Sequence, residues 1–129
     1  MPAANQIKVL VVDDQLSMRK LIAGALMQIG FRRIFEENNG KAGLAHATSS
    51  PVHLVISDYN MPDMDGLEFL KQLRAHPLAG KTGFIMLTGR ADATLVGRAR
   101  ELGVNNYVVK PFTVTHLKAK LEQVIGKLT

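Results

Sequence analysis

Five residues carry the chemistry this sequence offers. Asp13 and Asp14 directly follow the apolar run IKVLVV at 7–12, and Asp58 stands one small residue beyond Leu54, Val55 and Ile56. Thr88 ends GFIMLT at 83–88, and Lys110 comes near the end of NNYVVKP. Three carboxylates gathered in one place repel one another and raise their pKa values unless a cation joins them. An all-oxygen ligand set suits Mg²⁺ or Mn²⁺ rather than zinc, and a Mg²⁺ ion that keeps several waters needs only one or two carboxylates plus phosphate oxygens. Lys110 adds a movable point charge and Thr88 a hydroxyl that can donate to an anionic oxygen. A carboxylate, a hard cation, a lysine and a hydroxyl are the parts aspartyl-phosphate chemistry needs: nucleophile, charge neutraliser and two groups for the phosphoryl oxygens. Asp58 is the better nucleophile, because the adjacent pair Asp13 and Asp14 is better placed to hold the metal. Each residue alone has an ordinary role: the Asp pair and Asp58 as caps of a helix or turn, Thr88 in a local backbone bond, Lys110 in solvent. Their coincidence at four strand ends favours the shared chemical role.

The chain alternates strand and helix five times. Strands are expected over 7–12, 33–37, the run Leu54–Ile56 that surfaces toward Asp58, 83–88 and the NNYVVKP segment. The continuous apolar runs suit parallel strands buried on both faces, and Arg33 to Glu37, apolar only at Ile34 and Phe35, reads as an edge. In the first helix Met18, Leu21, Ile22, Ala25, Leu26 and Ile29 recur at three and four and should share the inward face, with Gly30 as terminator. A second helix over 40–49 should turn Ala42, Leu44, Ala45 and Ala47 inward. Asp65 can cap a third helix, with Glu68 completing a capping box and Phe69, Leu70 and Leu73 buried. A fourth, from about Asp92 to Leu102, turns Leu95, Val96, Ala99 and Leu102 inward, and Thr113 opens a last one carrying Val114, Leu117, Leu121, Val124 and Ile125. Such alternation requires crossovers and an α/β fold, a single parallel sheet with helices on both faces. Ligands of such sheets gather beyond the strands' C-terminal ends, where the five residues fall.

At 129 residues the chain fits one domain that buries about two thirds of its unfolded surface. It has no Cys, hence neither disulfides nor thiolate chemistry, which suits a cytoplasmic location. No apolar run reaches the roughly 18 residues of a membrane span, and the N-terminus is a poor export signal. The formal charge of +5 sets sixteen basic against eleven acidic residues. With some of the acids pooled at one site, the outer surface should be basic, fitting an acidic protein partner better than nucleic acid, since no basic block or interleaved aromatics occur. AGKTG at 79–83 lacks the upstream glycine of a nucleotide-binding loop, and His46, His53, His76 and His116 have no paired metal spacing.

The segments VLVVDDQLSMRKLI at 9–22, VISDYNMPDMDGLEFLKQLRA at 55–75, MLTGRAD at 86–92 and GVNNYVVKPF at 103–112 together resemble the receiver domain of bacterial two-component response regulators, most of all the single-domain chemotaxis regulators. The resemblance implies a (βα)5 flavodoxin-like doubly wound sheet of strand order 2-1-3-4-5 and one receiver domain over 1–129, with an ordered core from about 6 to 127. It further implies that Asp58 accepts a phosphoryl group from a histidine kinase. Asp14, Asp58 and the backbone carbonyl of Asn60 would bind Mg²⁺, with Asp13 holding a metal water. Thr88 would move toward the acyl phosphate, Lys110, before a cis bond to Pro111, would contact a phosphate oxygen, and Tyr107 would swing inward. The switched surface, from the fourth helix to the fifth, would include Arg90, Ala99, Tyr107, Lys118 and Lys120. Expected partners are a histidine kinase, a flagellar motor switch protein or phosphotransfer protein, and a phosphatase; the chain would act as a monomer, without nucleic acid, membrane or attached output domain.

Two positions depart from the chemotaxis pattern. Ala and Glu commonly follow the Thr there, whereas Gly89 and Arg90 follow it here. Gly89 loosens the loop, and Arg90 reverses a charge beside the site, so the self-dephosphorylation rate and phosphatase recognition do not carry over with the family. Two other readings remain: a Mg²⁺-dependent phosphohydrolase with an Asp nucleophile, which should have a second Asp where Asn60 stands, and a binding module that never takes phosphate.

Overall fold

The computed structural model describes residues 3–89 and 93–128. After a single 3₁₀ turn at Ala4–Gln6, the chain runs β1 (Lys8–Val12), α1 (Leu16–Ile29), β2 (Arg33–Glu37), α2 (Gly40–Ser49), β3 (Leu54–Asp58), α3 (Gly66–Ala75), β4 (Gly83–Thr88), α4 (Ala93–Glu101), β5 (Asn106–Val109) and α5 (Val114–Ile125). The sheet order is β2-β1-β3-β4-β5 and every neighbouring pair is parallel, giving the flavodoxin-like fold with β2 at an edge. The start of the fourth helix near Asp92 lies outside the described residues.

The period of two in the strands divides the core. Val9, Val11, Leu54, Ile56, Ile85, Leu87 and Val108 face α1 and α5, where Ile22, Ala25, Leu26, Leu117 and Leu121 meet them. Leu10, Val12, Val55, Phe84 and Met86 face the other way, against α2, α3 and α4. All five residues of β3 are buried: the apolar run Leu54–Ile56 requires it of three, and Ser57 and Asp58 are buried polar groups beyond it. Helix ends follow local chemistry: Asn39, Asp65 and Thr113 accept from the backbone N–H groups of Ala42, Glu68 and His116, and Gly30 closes α1 at φ 127°.

Some inward faces differ from the expected ones. Leu21 is 58% exposed and Ala23 is buried in its place, because the buried stripe of α1 is centred between Ile22 and Leu26, leaving Leu21 on its flank. In α2, Ala45 is exposed and the close contact is made by Gly43, where a Cβ would stand 2.8 Å from Val12 Cγ2 and 3.2 Å from Phe69 Cζ. Ala42 is half-buried. Glu68 makes no return bond to Asp65 among the described residues, so the capping box is half-formed: the side chain points to solvent, where a bond to the Asp65 N–H offers little over water.

Arg74, at the end of α3, ties the N-terminal ends of β4 and β5 together. Its guanidinium donates to the carbonyl oxygens of Gly103 (3.0 and 2.9 Å), Gly80 (3.2 Å) and Thr82 (2.5 Å), and to Asn105 Oδ1 (2.9 Å), which also accepts from the Phe84 N–H. Burial pushes its pKa down. Arg74→Ala strips these carbonyls of a charged donor and is expected to cost about 2–4 kcal/mol, read as a lower urea midpoint. Chemistry at the opposite ends of the strands should stay at the wild-type level.

Candidate functional site

The order reversal beside β1 places the crevice at the C-terminal ends of β1 and β3, where α1 and α3 leave in opposite directions. Asp13 and Asp14 follow β1 into that crevice, and Asp58 is the last residue of β3. One carboxylate oxygen from each of the three lies within 4.8 Å of the others. Asp58 is buried, and its Oδ1 accepts from Lys110 Nζ at 2.9 Å. Lys110 arrives from beyond β5, and its peptide bond to Pro111 is cis. Thr88, the last residue of β4, is buried one strand away, and its carbonyl accepts from the Lys110 N–H at 2.7 Å.

Asp13 is fully buried, and desolvation pushes its carboxyl pKa above the ordinary value, with repulsion from Asp58 and Asp14 adding to the rise. The Gln15 N–H on Oδ1, at 2.9 Å, and Lys110 oppose it. Its Oδ2 has no hydrogen-bond partner among the described residues. A buried anionic oxygen left this way is costly. Together with two further carboxylates in reach it forms a donor set that fits a hard divalent cation.

Asn60, two residues past Asp58, is exposed and lines a cavity of about 410 Å³ with Tyr59, Leu67, Thr88, Gly89, Thr94, Leu95 and Arg98. Tyr107 is half-buried against the core on the α2–α4 side, opposite Met86 in the strand register, with Lys120 Nζ 4.9 Å from its ring centre. The described contacts do not bring it to the carboxylates. Ala99, expected on the switched surface, is only 3% exposed, since its short side chain faces the core beside Leu95. Lys118 is exposed and Lys120 half-buried. Arg90 lies outside the described residues; at Gly89 a Cβ would meet nothing within 4 Å. Three of the four histidines have partners other than a metal: His46 Nδ1 meets Glu37 Oε2 at 2.8 Å, His53 Nδ1 accepts from the Lys8 N–H, and His76 Nδ1 accepts from the Leu78 N–H.

Two residues that the sequence pattern does not single out also reach the site. Arg98 lines the cavity beside Thr88, and Arg19 donates to the Asp13 carbonyl. Only the spacing of Thr94, Leu95 and Arg98 on one side of α4 could have pointed to the first.

Gly66 fixes the loop behind Asp58. A Cβ there would sit 2.5 Å from Met86 Sδ, 2.8 Å from the Asp58 carbonyl oxygen and 2.9 Å from Tyr59 Cα. Gly66→Ala must displace the backbone carrying the carboxylate. It is expected to cost about 1–3 kcal/mol in thermal or urea unfolding and to slow chemistry at Asp58.

A parallel five-stranded sheet with an acidic crevice at its reversal point and a lysine on the third strand's terminal aspartate defines a receiver-type domain. The profile of the response regulator receiver domain matches residues 9–122, and the chain belongs to that family. It is 48% identical over 128 residues to a probable chemotaxis protein CheY of Rhizobium etli, covering 99% of each chain. It is 41% identical over 120 residues to a CheY homolog of Campylobacter jejuni, covering 92% of each. The structure of chemotaxis protein CheY4 of Vibrio cholerae superposes with a TM-score of 0.86 at 32% identity, over 92% of this chain and 98% of that one. The chain is thus a CheY-like receiver, with the five-helix, 2-1-3-4-5 architecture of its neighbours. No helix among the described residues is long and apolar enough to cross a membrane.

Proposed function

We propose that this protein is a stand-alone response regulator that takes a phosphoryl group from a histidine kinase onto Asp58 and thereby switches a protein-binding surface. The supporting observation is the joint placement of Asp58: buried at a strand end, bonded to Lys110, and within reach of the oxygens of Asp13 and Asp14. An Asp58 carboxylate oxygen forms the new O–P bond as the P–N bond of the donor phosphohistidine breaks, its electron pair leaving on the imidazole. Asp13, Asp14, Asp58 and the backbone carbonyl of Asn60 would hold Mg²⁺ or Mn²⁺. When bound, the ion neutralises charge on the transferring group. Lys110, already within a hydrogen bond of the acceptor, follows the added charge, and the Thr88 hydroxyl donates to another phosphoryl oxygen. The product carries nearly two extra negative charges, which bias Thr88 and Tyr107 and through them the surface made by α4, β5 and α5.

The chain assists only its own phosphorylation and dephosphorylation and is not an enzyme in the usual sense. We assign it to the cytoplasm as a monomer, with chemotaxis or flagellar motor control as output. Its likeness to chemotaxis proteins favours that output over a phosphorelay intermediate or phosphate sink. The residue two past Asp58 is Asn60, which disfavours a phosphohydrolase. The test is incubation with Mg²⁺ and acetyl phosphate, followed by location of acid-labile phosphate. Label on Asp58 that a chelator prevents is expected; no label would overturn the reading. Capture of a motor switch protein only by the phosphorylated form then separates motor output from relay.

A further inference from the structure

Asp13 is held through its backbone as firmly as through its carboxylate. Its N–H donates to the Glu37 carbonyl of edge strand β2 at 3.2 Å, and its carbonyl oxygen accepts from Arg19 Nη1 at 2.8 Å. The same guanidinium meets Glu36 of β2, Nε to Oε1 at 3.4 Å, while Lys20 Nζ holds Oε2 at 2.9 Å. Arg19 is largely buried, its side chain 14% exposed; Lys20 is 64% exposed. A planar guanidinium can serve two acceptors at once in fixed directions, which an ammonium cannot. Arg19 therefore ties α1, the edge strand and the short turn carrying both Asp13 and Asp14 into one frame.

We infer that Arg19 is a positioning residue for divalent-cation binding, setting the Asp13–Asp14 turn through the Asp13 carbonyl. The inference rests on the proposed metal role of that turn. It has a sign that separates it from plain electrostatics. A positive charge beside an acidic cluster repels a dication, so if charge were its only effect, removing Arg19 would tighten binding. If it acts by positioning, removing it weakens binding in spite of the relieved repulsion.

The experiment titrates the full chain with Mn²⁺, following free ion by electron paramagnetic resonance without any phosphate donor. Arg19→Met keeps the aliphatic stem and deletes the guanidinium. It is expected to raise Kd about tenfold or more, the scale found when groups behind metal ligands are removed. Arg19→Lys should fall between the two, and Lys20→Ala, which leaves the Asp13 contact alone, should match wild type. In the metal-free protein the Gln15 amide resonance, reporting its bond to Asp13 Oδ1, should move in Arg19→Met and not in Lys20→Ala. If Arg19→Met does not fold, Arg19→Lys, which keeps the charge and loses the fixed two-acceptor geometry, should still weaken Mn²⁺ binding. Unchanged or tighter Mn²⁺ binding in folded Arg19→Met or Arg19→Lys overturns the inference while the functional reading stands. Wild-type protein that binds no Mn²⁺ and takes no label on Asp58 overturns that reading instead.

Discussion

Asp58→Asn is expected to abolish acid-labile phosphate on the chain, a drop on the order of 10³-fold or more in labelling rate with acetyl phosphate and Mg²⁺. The side chain keeps its shape, and Lys110 Nζ, 2.9 Å from Oδ1 in the parent, can still bond the amide oxygen. What is lost is the anionic oxygen that attacks phosphorus and one of three charges available to a cation. The fold should survive, because the substitution removes repulsion from Asp13 and Asp14, whose oxygens lie within 4.8 Å. Circular dichroism unchanged from the parent, with no label, is the expected pair of results. Undiminished label in this variant would assign the acceptor role elsewhere and sink the assignment of Asp58. Lys110 sits one bond away, so Lys110→Ala should label more slowly and still label on Asp58.

The strands were readable because burial on both faces demands uninterrupted apolar runs, and Leu54–Ile56 in β3 and Phe84–Leu87 in β4 show them. The helix starts at Asp65 and Thr113 and the stop at Gly30 follow from groups within four residues along the chain, which is why they too were visible. Parallel strands all end at one rim, so polar residues after four apolar runs had to share a neighbourhood. The strand order and the part of Asn60 came only through family resemblance. What stayed hidden depends on partners far apart in sequence. Whether Leu21 or Ala23 turns inward is set by where α1 rests on the sheet, and the close approach of α2 depends on Gly43 meeting Val12 and Phe69. Arg19 and Arg74 act on backbone carbonyls, which carry no sequence signature.

Asp13→Asn should move stability and metal binding in opposite directions. In the parent the carboxyl is fully buried, its pKa is raised chiefly by desolvation, and Oδ2 has no partner among the described residues. A raised folded-state pKa means the native chain holds more protons than the unfolded chain between the unfolded value and the folded one. Stability therefore falls as pH rises through that window, and the buried carboxyl weakens the metal-free fold at pH values above it. An amide of the same shape removes that charge and can donate to the neighbouring carboxylates. The variant is expected to gain about 1–2 kcal/mol at pH 7 in chelator, read from urea unfolding. The gain should shrink as pH drops through the window, where the parent's Asp13 has taken up its proton. The same change deprives a divalent ion of a buried anionic neighbour, so Mg²⁺ affinity should fall about 10- to 100-fold and labelling of Asp58 at low Mg²⁺ should fall with it. Raising Mg²⁺ should recover part of the label, because Asp58 and Lys110 are untouched. A variant less stable than the parent in chelator, or one that binds Mg²⁺ as tightly, would show that the buried charge at position 13 is not kept for the ion.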